Sequence, residues 1–191
     1  MPNNINRQDA AQQRTTKLLL AMGVIVIIGA VAYFGLTLYV NRRVPANPDT
    51  TYTAANGITV NYEGEKWPVC EMTVDDTLGE ALKLASSDDS ESSNYQVVLL
   101  QHSNEYDENF ISQSESDLKE AYGVISPRKV NIKIDGASVT AVRCDIQAYY
   151  AVLAVIQYDS GDVVYVSGLT ELASINDIVN VVESIELNAA Q

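Results

Sequence analysis

Apolar and polar positions divide the chain into one long uncharged run and a series of short periodic segments. From Leu18 to Val40 no charged residue occurs over 23 positions. As a helix this run would rise roughly 34 Å, enough for a hydrocarbon core of about 30 Å. It therefore reads as a transmembrane helix, 18–40, preceded by a cytoplasmic tail, 1–17. Ala30-Val31-Ala32 has the small-x-small form of a cleavage site, but the apolar run continues past it, so an uncleaved signal-anchor is the expectation. The residues around the span place the N-terminus in the cytoplasm and the remainder outside it, at a cell membrane.

Beyond the run, residues 41–56 are rich in Pro, Thr, Asn and Ala and read as a linker. Residues 57–188 carry the periodic segments and form the expected extracytoplasmic domain. Ile58, Val60 and Tyr62 alternate with polar residues as a strand does, and the single Trp67 reads as a packing residue. Asp75-Asp76-Thr77 predicts the start of a helix through TLGEALKLA, with Leu78, Leu82 and Ala85 as its apolar stripe. Tyr95–Leu100 predicts a buried strand, and residues 110–122 a second helix stopped by Gly123. Val124–Pro127 reads as a connector. Val130, Ile132 and Ile134 alternate up to a turn at Asp135-Gly136, and strands resume from Val139 to Ala148, over 149–158 and from Val163 to Leu169. Ile175, Ile178, Val179, Val182 and Ile185 recur at helical spacing near the end. Short turns between neighbouring strands require antiparallel pairing. The expected class is α+β: a transmembrane helix, then an antiparallel sheet flanked by helices.

Charge sharpens this division. Residues 1–43 hold five basic side chains and one acidic, a balance of +4, whereas 44–191 hold seven basic and 24 acidic, a balance of -17. A domain so negative repels phosphate backbones, which excludes nucleic acid as its partner. The partners expected are the lipid bilayer and a membrane or exported protein.

Gly57-Ile58-Thr59-Val60-Asn61-Tyr62, Ile134-Asp135-Gly136-Ala137, Val142-Arg143, the hairpin with Gly161 and Tyr165, and Val182-Glu183-Ser184-Ile185 carry a resemblance. Over most of residues 57–188 the chain resembles the PsbP-like and Mog-type α/β/α sandwich superfamily, which includes small exported bacterial domains. The resemblance implies a central antiparallel sheet between helices and an accessory or binding role. It implies no catalytic motif.

Candidate chemistry is sparse. Cys70 and Cys144 are the two cysteines and could pair in an oxidising compartment or remain separate buried thiols. One histidine, two cysteines and no short ligand spacing do not make a zinc site. Asp88, Asp89 and Glu91, or Glu105, Asp107 and Glu108, could offer oxygens to calcium, yet neither cluster has the glycine and spacing of a helix-loop-helix calcium site. No cofactor motif is present. His102, beside Ser103, is the one residue on which a hydrolase could be built. The chain holds eleven tyrosines against two phenylalanines, and Tyr149, Tyr150, Tyr158 and Tyr165 form the candidate partner face. The leading expectation is a membrane-anchored, non-catalytic accessory or protein-binding module. The alternatives are a small-ligand or cation sensor, with its pocket between the sheet and the C-terminal helix, and a hydrolase using His102.

Overall fold

A computed structural model describes residues 46–171 and 174–187. Ten strands and two helices follow one another: β1 (Thr50–Thr53), β2 (Ile58–Tyr62), β3 (Val69–Asp75), β4 (Gly79–Ala85), β5 (Gln96–Ser103), α1 (Phe110–Tyr122), β6 (Ser126–Lys129), β7 (Ala137–Asp145), β8 (Tyr150–Tyr158), β9 (Val163–Thr170), α2 (Asn176–Glu183) and β10 (Glu186–Leu187). They build a three-stranded sheet, β1-β2-β10, and a seven-stranded sheet, β3-β4-β5-β9-β8-β7-β6. Every pairing is antiparallel.

This corrects the expected α+β architecture. Strand takes 45% and helix 15% of the described residues, in two sheets with two helices. The domain is mainly β, not a sheet sandwiched by helices. The largest single error lies at residues 75–85. Asp75 Oδ1 does accept the N–H groups of Thr77 and Leu78, both at 2.9 Å, as a helix cap would. Gly79, at φ 74°, then turns the chain back, and β4 pairs along the whole of β3 from Asp75↔Gly79 to Val69↔Ala85. Leu82 and Leu84 enter one core while Ala81 enters another on the opposite face, a period of two and not of 3.6.

The membrane reading is corrected as well. Among the described residues no helix is long and apolar enough to cross a membrane. The longest, α1, has 13 residues, a rise of about 20 Å against the roughly 30 Å required. The tail 1–17, the span 18–40 and the cleavage position after Ala32 lie outside the described residues, so the single-pass, signal-anchor and cell-membrane assignments gain no support from the structure. Within the stretch read as a linker, Thr50–Thr53 forms β1 and pairs with β2 from Thr50↔Tyr62 to Thr53↔Thr59.

The main core lies on one face of the seven-stranded sheet. Leu84, Val98, Val152 and Val166 look out from that sheet, Ile58 and Val60 from β2, and Ile178 and Val182 from α2. Trp67, 2% exposed, is part of it. The apolar stripe expected near the end is buried: Ile178, Val179 and Val182 in α2 and Ile185, two residues past its end, are all 2% exposed or less. Burial at this level stabilises by about 1.5–3 kcal/mol per side chain. Gly168 on β9 permits the close approach of α2, since a Cβ there would stand 2.8 Å from Ile178 Cγ2.

α1 covers the opposite face over two smaller clusters, one around Phe110, Val155 and Tyr165, the other around Cys144, Ile146 and Leu153. Its bounds agree with the periodicity, and Gly123, at φ 86°, ends it with its N–H on the Lys119 carbonyl. The alternation Val130, Ile132, Ile134 is honoured by burial against the main core but not by pairing. The ladder strand is instead β6, which starts within the segment read as a connector and ends just before Val130.

Candidate functional site

The four tyrosines do not make one face. Tyr165 is 5% exposed and packs on Phe110 with ring centroids 4.7 Å apart. Its hydroxyl donates to the Glu105 carbonyl at 2.8 Å and accepts the Asp107 N–H, tying down the loop before α1. Tyr158 belongs to the other face, where its hydroxyl donates to the Ile185 carbonyl at 3.2 Å. Burial pushes that phenol up to about 12. Tyr150 lies on the same side as Tyr158, beneath the Arg143 guanidinium, 4.3 Å from the ring centroid. Tyr149 packs on Tyr122 at 5.6 Å. All four are spent on internal contacts, so the expected tyrosine face is replaced by anchoring roles.

Cys70 and Cys144 are free thiols. Five strand spacings separate β3 from β7 in the sheet order, roughly 24 Å at 4.8 Å each. The ladder also puts the two on opposite faces, since Cys70 packs against the main core and Cys144 lies under α1. No bridge can span that separation. Burial pushes the Cys144 thiol up to about 11 and raises that of Cys70 too, so neither is poised as a thiolate.

His102 is held by two acceptors. Nδ1 lies 2.7 Å from the Asn56 carbonyl and Nε2 3.0 Å from Asp162 Oδ1. The Ser160 hydroxyl donates to the other oxygen of Asp162 at 2.6 Å. The carboxylate therefore stands between serine and imidazole, whereas a hydrolytic triad needs the imidazole in the middle. Ser103 Oγ turns away and donates to the Glu105 carbonyl. Among the described residues no serine is hydrogen-bonded to His102, so there is no hydroxyl there for it to activate. Nor do three His, Cys, Asp or Glu side chains converge among the described residues to hold a metal. In the two acidic clusters, Asp89 and Asp107 accept the N–H groups two residues ahead, of Glu91 and Asn109, as turn caps. Between the seven-stranded sheet and α2, the site expected for a sensor pocket is filled by the main core.

A different surface stands out. Four of the seven basic side chains of residues 44–191 are Arg128, Lys129, Lys133 and Arg143, gathered on β6, β7 and the segment between them. β6 ends the sheet order and is exposed along its whole length. The Val130 N–H donates to the Ala141 carbonyl. Continuing that alternation, Arg128 bonds back to β7, while Pro127 and Lys129 turn their backbone groups to the open edge. Proline fits there because no ladder donor is lost. Arg128 lies directly opposite Arg143, and both guanidiniums share one carboxylate, Asp145, with Arg128 Nη2 3.5 Å from it. Two cations on one anion leave local positive charge, and like charges facing each other across strands are unfavourable without a counter-ion. Immediately before β6, Tyr122 is 40% exposed and Val124 79% exposed.

The run YGVISPRK, 122–129, thus joins exposed apolar groups to a basic sheet edge. Reading Val124–Pro127 as a connector hid this. The signal in the sequence was the crowding of basic residues into 128–143 within so acidic a domain. No protein-family model matches the chain, and no curated protein matches it.

Proposed function

We propose that this domain is a non-catalytic protein-binding module whose contact surface is residues 122–129, centred on the open edge of β6. The observation that supports the reading is the concentration of positive charge at one sheet edge of a domain with a balance of -17, next to exposed Tyr122 and Val124. An extended acidic segment with an aliphatic or aromatic side chain fits this surface. Its carboxylates meet Arg128 and Lys129, its apolar group covers Val124, and its backbone uses the Lys129 N–H and the Pro127 and Lys129 carbonyls. The missing Pro127 donor limits backbone pairing, so specificity rests on side chains.

Selection of a displayed library of random 12-residue peptides on the full chain tests the reading. Net-negative peptides carrying an apolar residue should be enriched, and Arg128→Glu with Lys129→Glu should weaken their binding about tenfold or more, as loss of charge-assisted hydrogen bonds predicts. Lys66→Glu with Lys83→Glu, an equal charge change before β3 and on β4, far from β6 in the sheet order, should have a much smaller effect. Enrichment of neutral or basic peptides, or equal effects of the two charge reversals, would refute the reading.

A further inference from the structure

On the face of the seven-stranded sheet opposite α2, a half-open cavity of about 220 Å³ lies between α1, the β3–β4 turn and the sheet. Its floor is a single cross-strand row, Leu99 on β5, Ser167 on β9 and Leu153 on β8. Its roof is one stripe of α1: Phe110, Ser114, Asp117, Leu118 and Ala121. Asp75, Thr77 and Leu78 close one end. The cavity exists because small residues stand where the two surfaces otherwise carry large ones. Ser114 and Ala121 interrupt the helix stripe, and Ser167 sits between two leucines in the floor.

The polar groups in this apolar space are short of partners. Ser114 is 9% exposed, and among the described residues neither its hydroxyl nor that of Ser167 makes a hydrogen bond. Neither oxygen is sealed from solvent, so each is open to water or to a polar group of a ligand that takes the place of water. Two carboxylates stand at the cavity's open side, Asp117 exposed and Asp75 half-buried. Asp75 uses Oδ1 for the Thr77 and Leu78 N–H groups, and Asp117 uses Oδ1 for Gln113 Nε2. Each keeps its second oxygen. No Lys or Arg lines the cavity.

We infer that this cavity binds a small organic cation with an apolar body, an amine of the arylalkyl or alkyl type. The body would lie on Leu99, Leu153 and Phe110, and the ammonium group would meet Asp117 or Asp75 together with the serine hydroxyls. Apolar walls with a few convergent polar groups are the usual make-up of a small-molecule site. Since a dry cavity of about 150 Å³ holds benzene, this one suits roughly nine non-hydrogen atoms. An anion would meet two carboxylates and no cation, and a neutral molecule would gain no charge interaction with either. This site shares no residue with the β6 surface, and the inference stands apart from it.

Three probes of nearly equal size separate the possibilities: 2-phenylethylamine, 2-phenylethanol and phenylacetate, each titrated against the full chain by calorimetry and by saturation-transfer NMR. The amine should bind about tenfold or more tightly than the alcohol, the difference of one charge-assisted hydrogen bond, and the acid should not bind. Asp117→Asn should bring amine and alcohol close together without unfolding the protein. Ser167→Leu should abolish binding of both by filling the floor. If Ser167→Leu fails to fold, Ala121→Leu fills the cavity from the helix, where leucine is a good helix former. The inference is overturned if none of the three binds at millimolar concentration, if the alcohol binds as well as the amine, or if a folded filling variant leaves amine binding unchanged.

Discussion

His102 and Asp162 join two turns that lie far apart in the chain, with Nε2 3.0 Å from Oδ1, while the other ring nitrogen faces the Asn56 carbonyl at 2.7 Å. Both partners are acceptors. An imidazolium can donate to both at once, whereas a neutral ring can donate to only one. The contact fastens the β1–β2 turn, through Asn56, to the β8–β9 turn, and so ties the small sheet to the large one.

The Ser160 hydroxyl first, and then His102, hold the Asp162 carboxyl below its ordinary range. A carboxyl depressed in the folded state adds stability above its unfolded value, near 3.8, and loses it as pH falls through the lower folded value. Wild-type stability to urea should therefore drop on the acid side below about pH 4, and Asp162→Asn should flatten part of that slope. His102→Ala should cost about 1 kcal/mol at neutral pH, the usual value of a net hydrogen bond. An unchanged acid slope in Asp162→Asn would show that other carboxylates carry it.

Gly79 distinguishes the hairpin from the helix that local pattern favours. At φ 74° with open space around its Cα, an added methyl meets no neighbour but strains the backbone. Gly79→Ala should destabilise the domain by about 1 kcal/mol. In a helix the same change would stabilise by a similar amount. The sign of the shift in the urea midpoint decides between the two.

Gly168 sets the distance between β9 and α2. Because its added Cβ would stand 2.8 Å from Ile178 Cγ2, Gly168→Ala should cost about 1–3 kcal/mol through overpacking. Removing Cγ2 itself in Ile178→Ala, which valine would retain, should make the added methyl cost less in that background, giving a favourable coupling in a thermodynamic cycle. Additive single effects would mean that the close approach is not what Gly168 provides.

Much of the fold was legible where the deciding interactions are local. The bounds of α1 follow from its period and from Gly123, whose backbone bond to Lys119 lies four residues back. The stripe from Ile175 to Ile185, the turn at Asp135-Gly136 and the turn before Val163 are also local signals, and each folds as its residues require. The candidate site was much less legible. The tyrosines were visible as a composition, but composition does not say which face of a strand each one takes.

What the sequence determined by itself was the location of several turns, the two helices at residues 110–122 and near the end, the segregation of charge and the identity of many core residues. Tertiary structure alone decided the rest. Leu78, Leu82 and Ala85 satisfy a helical period while Leu82 and Leu84 satisfy a strand period, and the presence of β3 as a pairing partner selected the strand. Cys70 and Cys144 were separated by a strand order that no local spacing encodes. The β6 edge and the cavity beneath α1 arise in the same way, because an unpaired edge and an unfilled volume are properties of which strands become neighbours. Those neighbours are chosen by long-range pairing and burial, in which residues as distant as Val98 and Gly168 meet in one ladder.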